Sequence, residues 1–164
     1  HQEERFRVGR EALARFYHAQ QGEKNNIKFI EKDFSFIFEG NKITGRFDRI
    51  DEDEGGVSII DFKTSQVKDQ DIADKKARES LQLELYAFAY SRIFQILPKY
   101  LKLFFLESGI IGKAVIEEWS FCRIREKIAD VSSGVRAQSF TALPTYLACS
   151  YCAYNRICPS AKTG

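Results

Sequence analysis

Two strand-like runs joined by a short acidic turn constrain this chain most. Residues 42–51 and 56–64 are rich in branched and aromatic side chains, and glycines end the turn between them. Such runs around a glycine turn predict an antiparallel hairpin. Because successive side chains of a strand point to opposite faces, Asp61 and Lys63 leave the same face of the second strand. A carboxylate and an ammonium therefore share one surface.

A second carboxylate belongs to the first strand of this hairpin. If Asp48 lies on the same face as Asp61, two carboxylates meet with the backbone carbonyl of Phe62 nearby. Such hard oxygen ligands suit Mg²⁺ or Mn²⁺ better than Zn²⁺. Asp61 directly follows the apolar run 57–60, so we expect it at the rim of a core, where a carboxylate needs a partner. That partner is either a metal ion or Lys63 in a structural ion pair.

A helix with polar side chains on one face follows the hairpin. Residues 75–95 contain strong helix formers and neither proline nor glycine, which predicts one long helix closed by Pro98. Gln82 and Tyr86 are four residues apart, so they lie on one face and can reach toward the carboxylates. The alternative is an amphipathic helix in which Tyr86 is simply core.

The rest of the chain predicts an α/β (α+β) fold, with a central mixed β-sheet flanked by helices. In 34–38, three phenylalanines alternate with a serine and an isoleucine, which predicts a strand buried on both faces. At 164 residues and 44% hydrophobic composition, we expect residues 1–164 to form a single domain. The other predicted elements are helices at 3–20 and 123–136 and strands at 27–39, 100–107 and 113–120.

Charge and hydropathy bear on the partners of the chain. A net charge of +2 is too small to establish nucleic-acid binding by itself, but several cations cluster in sequence around the proposed site and could follow a DNA backbone. No apolar run approaches membrane-spanning length, so we expect a cytoplasmic protein without a membrane partner. The candidate DNA-binding residues are Arg46, Arg49, Lys68, Lys75 and Lys76, with Arg78 beside them.

Three cysteines, Cys149, Cys152 and Cys158, fall within ten residues near the end of the sequence. This spacing favours a single soft metal centre. Iron–sulfur clusters and structural zinc usually have four protein ligands, so the three cysteines leave one ligand position unfilled. Cys122 is either the fourth ligand or a small buried hydrophobic side chain. The pattern is typical of cytosolic metal binding and disfavours a disulfide framework.

The succession of residues 45–51, 59–64 and 82–86 resembles the motifs of RecB-type nucleases of the PD-(D/E)XK superfamily. The resemblance extends from about Gly9 to Pro159. It is strongest to the nuclease domains at the C-terminus of UvrD/Rep-like and AddB-type helicases, with CRISPR-associated RecB-like nucleases as more distant relatives. It implies a restriction-endonuclease-like core and metal-dependent DNA hydrolysis coupled to a helicase in repair and recombination.

The resemblance also implies a role for each motif residue. In such a reaction a divalent metal ion makes a water nucleophilic and stabilises negative charge on the phosphoryl oxygens. Lys63 would orient that water and act electrostatically rather than as a general base. The implied metal ligands are Asp48, Asp61 and the Phe62 carbonyl, and the implied phosphate-binding or site-organising groups are Gln82 and Tyr86.

The first predicted helix departs from the family pattern. Many members carry a histidine ligand four residues after a glycine, where this chain has Leu13 after Gly9. His18 lies five residues further on, about 140° around the helix, so we expect it on the surface. The site therefore either works with a reduced ligand set or has lost activity and kept DNA binding.

The cysteines, too, have a counterpart in the family. In the relatives a C-terminal triplet joins one upstream cysteine to hold a [4Fe-4S] cluster that staples the domain, whereas this chain has no cysteine before Cys122. We expect the fourth ligand to lie outside this sequence, in a larger helicase polypeptide. Its motor would also lie elsewhere, because no phosphate-binding loop signature occurs here.

Three classes of function follow. The first is a Mg²⁺- or Mn²⁺-dependent deoxyribonuclease that trims strands delivered by a helicase. The second is a catalytically inactive DNA-binding or structural module that keeps the nuclease fold. The third is a partner-docking domain organised around the cysteine centre at 149–158.

Overall fold

The computed structural model describes residues 2–21, 26–116 and 121–162. Five helices and five strands alternate irregularly along these residues. The helices are α1 (Gln2–Gln21), α2 (Gln70–Glu79), α3 (Leu81–Phe94), α4 (Cys122–Arg136) and α5 (Tyr146–Ser150). The strands are β1 (Ile27–Phe38), β2 (Asn41–Asp53), β3 (Gly56–Lys63), β4 (Tyr100–Phe105) and β5 (Ile110–Val115).

The strands form one sheet in the order β1-β2-β3-β4-β5. Neighbouring strands are antiparallel except β3 and β4, which run parallel. Parallel neighbours need a long crossover, and α2 and α3 supply it. The predicted mixed sheet with flanking helices is therefore confirmed.

The predicted hairpin is formed by β2 and β3. Arg49 pairs with Ile60 and Asp51 pairs with Ser58 in an antiparallel register. The pairing ends at Arg49 and Ile60, and Asp48 and Asp61 are the next residues along the two strands. Asp48 Oδ2 accepts a hydrogen bond from Phe62 N, so the hairpin brings the two carboxylates close together.

An aromatic core fills the space between α3 and the sheet. Tyr90 and Phe88 of α3 are fully buried, as is Phe47 of β2. The ring centroids of Phe47 and Tyr86 lie 5.5 Å apart, and those of Phe34 and Phe47 lie 4.5 Å apart. These contacts fix α3, and with it Gln82 and Tyr86, against the strands that carry the carboxylates.

The prediction that residues 34–38 are buried on both faces is wrong. Phe34 is buried against the core, whereas Ser35 and Ile37 are exposed. β1 is an edge strand covered on one side only, and nothing in its own alternation distinguishes an exposed isoleucine from a buried one.

The predicted single helix at 75–95 is also wrong, because the chain breaks at Ser80 into α2 and α3. Ser80 has an extended backbone, with ψ of 105°, and its hydroxyl accepts a hydrogen bond from Leu83 N. Asp69 caps the start of α2 in the same way, accepting from Ile72 N. Serine is a strong N-cap residue, so a break needs neither proline nor glycine.

The helix α1 lies against the other face of the sheet. The Phe16 ring packs edge-on against Phe62 and Phe104, at centroid distances of 5.5 and 5.2 Å. Near its C-terminal end, Gln20 accepts a hydrogen bond from the Arg49 guanidinium. β3 is therefore covered on both faces, by α3 on one side and by α1 on the other.

The chain divides into two compact units, His1–Glu126 and Lys127–Gly164. The first contains the sheet and the helices packed on it. The second contains most of α4, then α5 and a series of turns that carry the three clustered cysteines. Across the described residues, no helix is both long and apolar enough to cross a membrane.

Candidate active site

The two predicted carboxylates lie in different surroundings. Asp61 is only 1% exposed, and burial raises the pKa of its carboxyl, with a further rise from the negative charge of Asp48 and an opposing effect from the Lys63 ammonium. Asp48 is less deeply buried, and its Oδ2 accepts a hydrogen bond from Phe62 N at 3.0 Å. Asp48 is therefore hydrogen-bonded to the backbone of the strand that carries Asp61.

A chain of hydrogen bonds links Lys63 to the helix α3. Lys63 Nζ donates to Gln82 Oε1 at 2.7 Å, and Gln82 Nε2 donates to the Tyr86 hydroxyl at 2.9 Å. Burial raises the pKa of the Tyr86 phenol, and the negative charges of Asp61 and Asp48 raise it further. The structure thus brings together all five side chains that the motifs single out.

The buried carboxylate of Asp61 is paired with one cation. Asp61 Oδ2 lies 2.7 Å from Lys63 Nζ, and the same ammonium donates to Gln82 Oε1. The charge of Lys63 only partly offsets the cost of burial, because the pKa of Asp61 stays above its ordinary value. A bound divalent cation would offset that cost further.

The donor set fits a hard divalent cation. The available groups are the carboxylates of Asp48 and Asp61 and the Phe62 carbonyl, all oxygen ligands. No three His, Cys, Asp or Glu side chains converge on a common point in the described parts of the chain. Two protein carboxylates nevertheless suffice for Mg²⁺, which usually keeps several waters and takes further oxygens from a substrate phosphate.

The first helix contributes no carboxylate or imidazole here. Leu13 is 64% exposed, and its apolar side chain offers no ligand atom. His18 is exposed as expected, with its ring 5.8 Å from that of Tyr17. Moreover, α1 packs on Phe62, whose side chain points to the face of β3 opposite Asp61.

Two of the arginines proposed to contact DNA are paired within the protein. Arg49 is buried, and its guanidinium donates to both carboxylate oxygens of Asp51 at 2.7 and 2.8 Å. Arg46 is exposed but bonds Asp33 at 2.6 Å across the β1–β2 pair. The Arg49 charge therefore holds α1 and β2 together and is not open to a DNA strand.

The three lysines proposed to contact DNA remain at the surface. Lys68 is exposed in the loop between β3 and α2. On α2, Lys75 Nζ lies 3.9 Å from Glu79, and Lys76 Nζ lies 5.6 Å from the centroid of the Phe105 ring. These lysines lie on the loop and the helix that come after β3, the strand that carries Asp61 and Lys63.

Sequence reasoning missed the structural part played by Glu84. This buried carboxylate accepts hydrogen bonds from Arg123 Nε at 2.6 Å and from Ile124 N at 3.0 Å. These two hydrogen bonds connect the first turn of α4 to the helix that carries Gln82 and Tyr86. The signal was available, because a glutamate flanked by leucines within an apolar helix predicts a buried charge with a partner.

Among the residues that the structure describes, no three potential metal ligands of the cysteine triplet converge on one point. All four are free, and Cys149 Sγ accepts a weak hydrogen bond from Lys162 N at 3.4 Å. The prediction of a buried Cys122 is wrong, since this thiol is exposed in the first turn of α4. Ligation by the triplet at 149–158 stays a prediction.

Comparisons with known proteins agree with this geometry. The family model of the PD-(D/E)XK nuclease superfamily matches residues 1–159. Gene 69 protein of Mycobacterium phage L5 is 27% identical over an alignment of 139 residues, which covers 81% of this chain but only 45% of that protein. The crystal structure of SSO0001 is similar with a TM-score of 0.57 and 19% identity, over 93% of this chain and 68% of that one, which shows a shared fold. With its sheet, its paired carboxylates and a family match over nearly its full length, the chain belongs to the PD-(D/E)XK nuclease superfamily.

Proposed function

We propose that this protein is a divalent-metal-dependent deoxyribonuclease. The observation that carries the proposal is the buried Asp61 carboxylate, whose pKa is raised by burial and by the charge of Asp48 although Lys63 Nζ lies 2.7 Å away. A carboxylate kept in so costly a state is typical of a functional site. Its neighbours are the groups that phosphodiester hydrolysis requires.

Asp48, Asp61 and the Phe62 carbonyl would hold Mg²⁺ or Mn²⁺. When bound, the ion supplies Lewis-acid stabilisation of the phosphoryl oxygens and makes a water nucleophilic at neutral pH. The Phe62 N–H fixes the Asp48 carboxylate from the backbone, so its orientation does not depend on a mobile side chain. The opposing register of β2 and β3 sets the spacing of the two acids.

Lys63 would act on the substrate by charge and position. Its ammonium has three donors, of which one is used by Gln82 and one faces Asp61 Oδ2 at 2.7 Å. The third can reach an attacking water or a phosphate oxygen. The Tyr86 hydroxyl accepts from Gln82, so its own proton stays available for a phosphate oxygen, and its raised pKa keeps the phenol neutral.

The context of the reaction is part of the same proposal. The motif succession supports an association with a helicase in DNA repair or recombination, in which the motor would deliver the strand. It also supports a [4Fe-4S] cluster on Cys149, Cys152 and Cys158 with a fourth cysteine elsewhere. The relative in Mycobacterium phage L5 is more than twice as long as the matched region, which leaves room for further functions in a whole protein.

Cleavage of end-labelled single-stranded DNA with Mn²⁺ or Mg²⁺ tests the proposal. We expect cleavage by the wild-type protein, loss in chelator, and a loss of about 10²-fold or more in Asp61→Ala. Asp71→Ala, which removes an exposed carboxylate from the first turn of α2, is the matched control and should cleave normally. Equal cleavage by Asp61→Ala and wild type would reject the assigned site.

The replacement of the family histidine by Leu13 favours one alternative, a catalytically inactive DNA-binding module. This alternative predicts that the wild-type protein binds single-stranded DNA with affinity that falls as salt rises, yet cleaves nothing with either metal. The same set of assays therefore separates the two functions.

A further inference from the structure

Away from the candidate active site, a concave surface lies where the C-terminal half of α3 meets the start of α4. It is a cavity of about 290 Å³. At 100° per residue, the residues of α3 that line it project from the side of the helix opposite Gln82 and Tyr86. We call it the α3–α4 groove, and its lining residues are Phe88, Ser91, Arg92, Gln95, Ile96, Leu97, Phe121 and Arg125.

The α3–α4 groove is positively charged. Two guanidiniums, those of Arg92 and Arg125, line it, and none of its described lining residues is acidic. Among the described residues, neither arginine is within ion-pair distance of a carboxylate, whereas Arg49 and Arg123 are each paired. In a chain with 25 basic and 23 acidic residues, two unneutralised guanidiniums on one small cavity attract an anion.

The guanidinium of Arg125 is held in place before any ligand arrives. It lies 5.7 Å from the centroid of the Phe88 ring, which is 1% exposed and forms the floor of the groove with the buried Phe121. Stacking uses the flat face of a guanidinium and leaves its N–H edge free to donate. The entropy cost of ordering this side chain on binding is then smaller.

The wall that bears Arg92 is also held in place. Gln95 ends α3 in a left-handed conformation with φ of 58°, and its side-chain amide donates to the Arg92 carbonyl at 2.8 Å. The Gln95 backbone N–H donates to Ser91 O at 3.1 Å. The last turn of α3 is therefore closed, and Arg92 projects from a fixed helix end.

We propose that the α3–α4 groove binds a phosphate group between Arg92 and Arg125. Guanidiniums recognise phosphate by paired N–H donors, and two of them can cover more than one oxygen of the anion. The phosphate belongs either to the backbone of a DNA strand or to a free phosphate ion. The first source rests on the proposed function, since it makes the groove a second binding point for the nuclease's substrate, away from the carboxylates.

Binding of a labelled single-stranded oligonucleotide, measured by fluorescence anisotropy in chelator over a series of salt concentrations, tests the first source. We expect Arg92→Gln/Arg125→Gln to bind about tenfold more weakly, as for the removal of one charge-assisted hydrogen bond. The slope of log K against log salt should become shallower by about 0.7 for each phosphate that the variant no longer neutralises. Arg5→Gln/Arg10→Gln on α1 removes the same charge from exposed positions and should leave the slope unchanged.

Inorganic phosphate tests the second source. At equal ionic strength, phosphate should raise the thermal unfolding midpoint of the wild type above its value in chloride, and the groove double variant should lack this rise. If the double variant does not fold, Arg92→Gln alone serves, because Arg92 is exposed at the helix end and contacts no ring of the described residues.

Each result decides the proposal. A groove-dependent effect on DNA binding supports a backbone phosphate, and an effect on inorganic phosphate alone supports a free ion. Wild-type behaviour of the groove variant in both assays would overturn it. Because binding is measured without metal, a protein that never cleaves DNA but binds it more weakly in the groove variant would reject the nuclease proposal and keep this one.

Discussion

At the scale of single residues, the site is a set of polar groups whose hydrogen bonds are nearly complete. Lys63 donates to Gln82, Gln82 donates to Tyr86, and Asp48 accepts from the Phe62 N–H. Asp61 is paired with Lys63, yet burial and the neighbouring Asp48 hold the pKa of its carboxyl above the ordinary value. Two carboxylates beside a single ammonium therefore mark where a further cation is expected.

Lys63→Ala should abolish cleavage while the protein stays folded. The Lys63 side chain is 34% exposed, so its removal leaves no buried cavity, but it takes away the ammonium beside the carboxylates. We expect a loss of about 10²–10³-fold in the rate constant, measured under single-turnover conditions with Mn²⁺. Lys42→Ala, at an exposed position near the start of β2, is the control, and a comparable loss there would point to general electrostatics instead.

Asp61→Asn should stabilise the metal-free protein at neutral pH. Burial raises the pKa of Asp61 in the folded state, so between its ordinary value and the raised value the native state binds more protons than the unfolded state. The free energy of unfolding of the wild type therefore falls as pH rises through that interval and stays lower above it. Asparagine cannot ionise, so the variant lacks this fall.

The thermal unfolding midpoint, measured in chelator from about pH 4 upward in steps of about one pH unit, tests this effect. The midpoints of wild type and Asp61→Asn should diverge as pH rises, with the variant higher. Asp71→Asn removes an exposed carboxylate and should follow the wild type. Parallel curves for wild type and Asp61→Asn would show that Asp61 ionises without cost.

At the scale of elements, close packing of α2 on β5 protects one edge of the sheet. Asp74 Oδ1 accepts from Lys113 N at 2.7 Å, and Gln70 Nε2 donates to Ile111 O at 2.8 Å. A Cβ at Gly112 would lie 2.1 Å from Ala73 O. Polar groups of an exposed edge strand are thus occupied by a helix of the same chain.

Gly112→Ala should destabilise the protein by about 1–3 kcal/mol, as expected for overpacking against backbone. The atom in the way is a carbonyl of α2, which can move only if the helix shifts away from β5. Urea unfolding measures the change. Gly9→Ala in α1, where a Cβ meets nothing within 4 Å, should instead leave stability unchanged or raise it by up to about 1 kcal/mol. Equal effects of the two substitutions would contradict tight packing at Gly112.

At the scale of the whole molecule, the chain consists of two compact units with different kinds of stabilisation. The unit His1–Glu126 contains the sheet and its buried aromatic core. The unit Lys127–Gly164 carries many exposed apolar side chains, among them Leu143 and Tyr151. Unless a ligand binds its three clustered thiols, the second unit lacks a stabilising feature comparable to that core.

All four thiols should react with a thiol reagent in the folded, reduced and metal-free protein. None is in a disulfide, and Cys122 and Cys152 are exposed, so these two should react first. Substituting serine at Cys149, Cys152 and Cys158 together should leave the unfolding midpoint of the sheet-containing unit unchanged. Three protected thiols in the metal-free protein would contradict the open arrangement.

Much of the fold was predictable from local sequence patterns. The alternation of side chains in 42–51 and 56–64 predicts a hairpin, and its register leaves Asp48 and Asp61 next to the last pair, Arg49 and Ile60. The four-residue spacing of Gln82 and Tyr86 needs only a helix to place them on one face. These relations depend on neighbours along one or two elements, and the periodicity of the chain carries that information.

The contacts between distant elements were decided by the tertiary structure alone. By sequence, Arg49 is a candidate DNA contact. In the folded protein it is buried and donates hydrogen bonds to Asp51 and Gln20. The helix break at Ser80, and the groove that joins Arg92 to Arg125, depend on how α2, α3 and α4 pack. The sequence by itself determined which residues form the candidate site, because their order and spacing are local. Burial and charge pairing depend on residues far apart in the chain, so only the tertiary structure decided which charges remain open to a ligand.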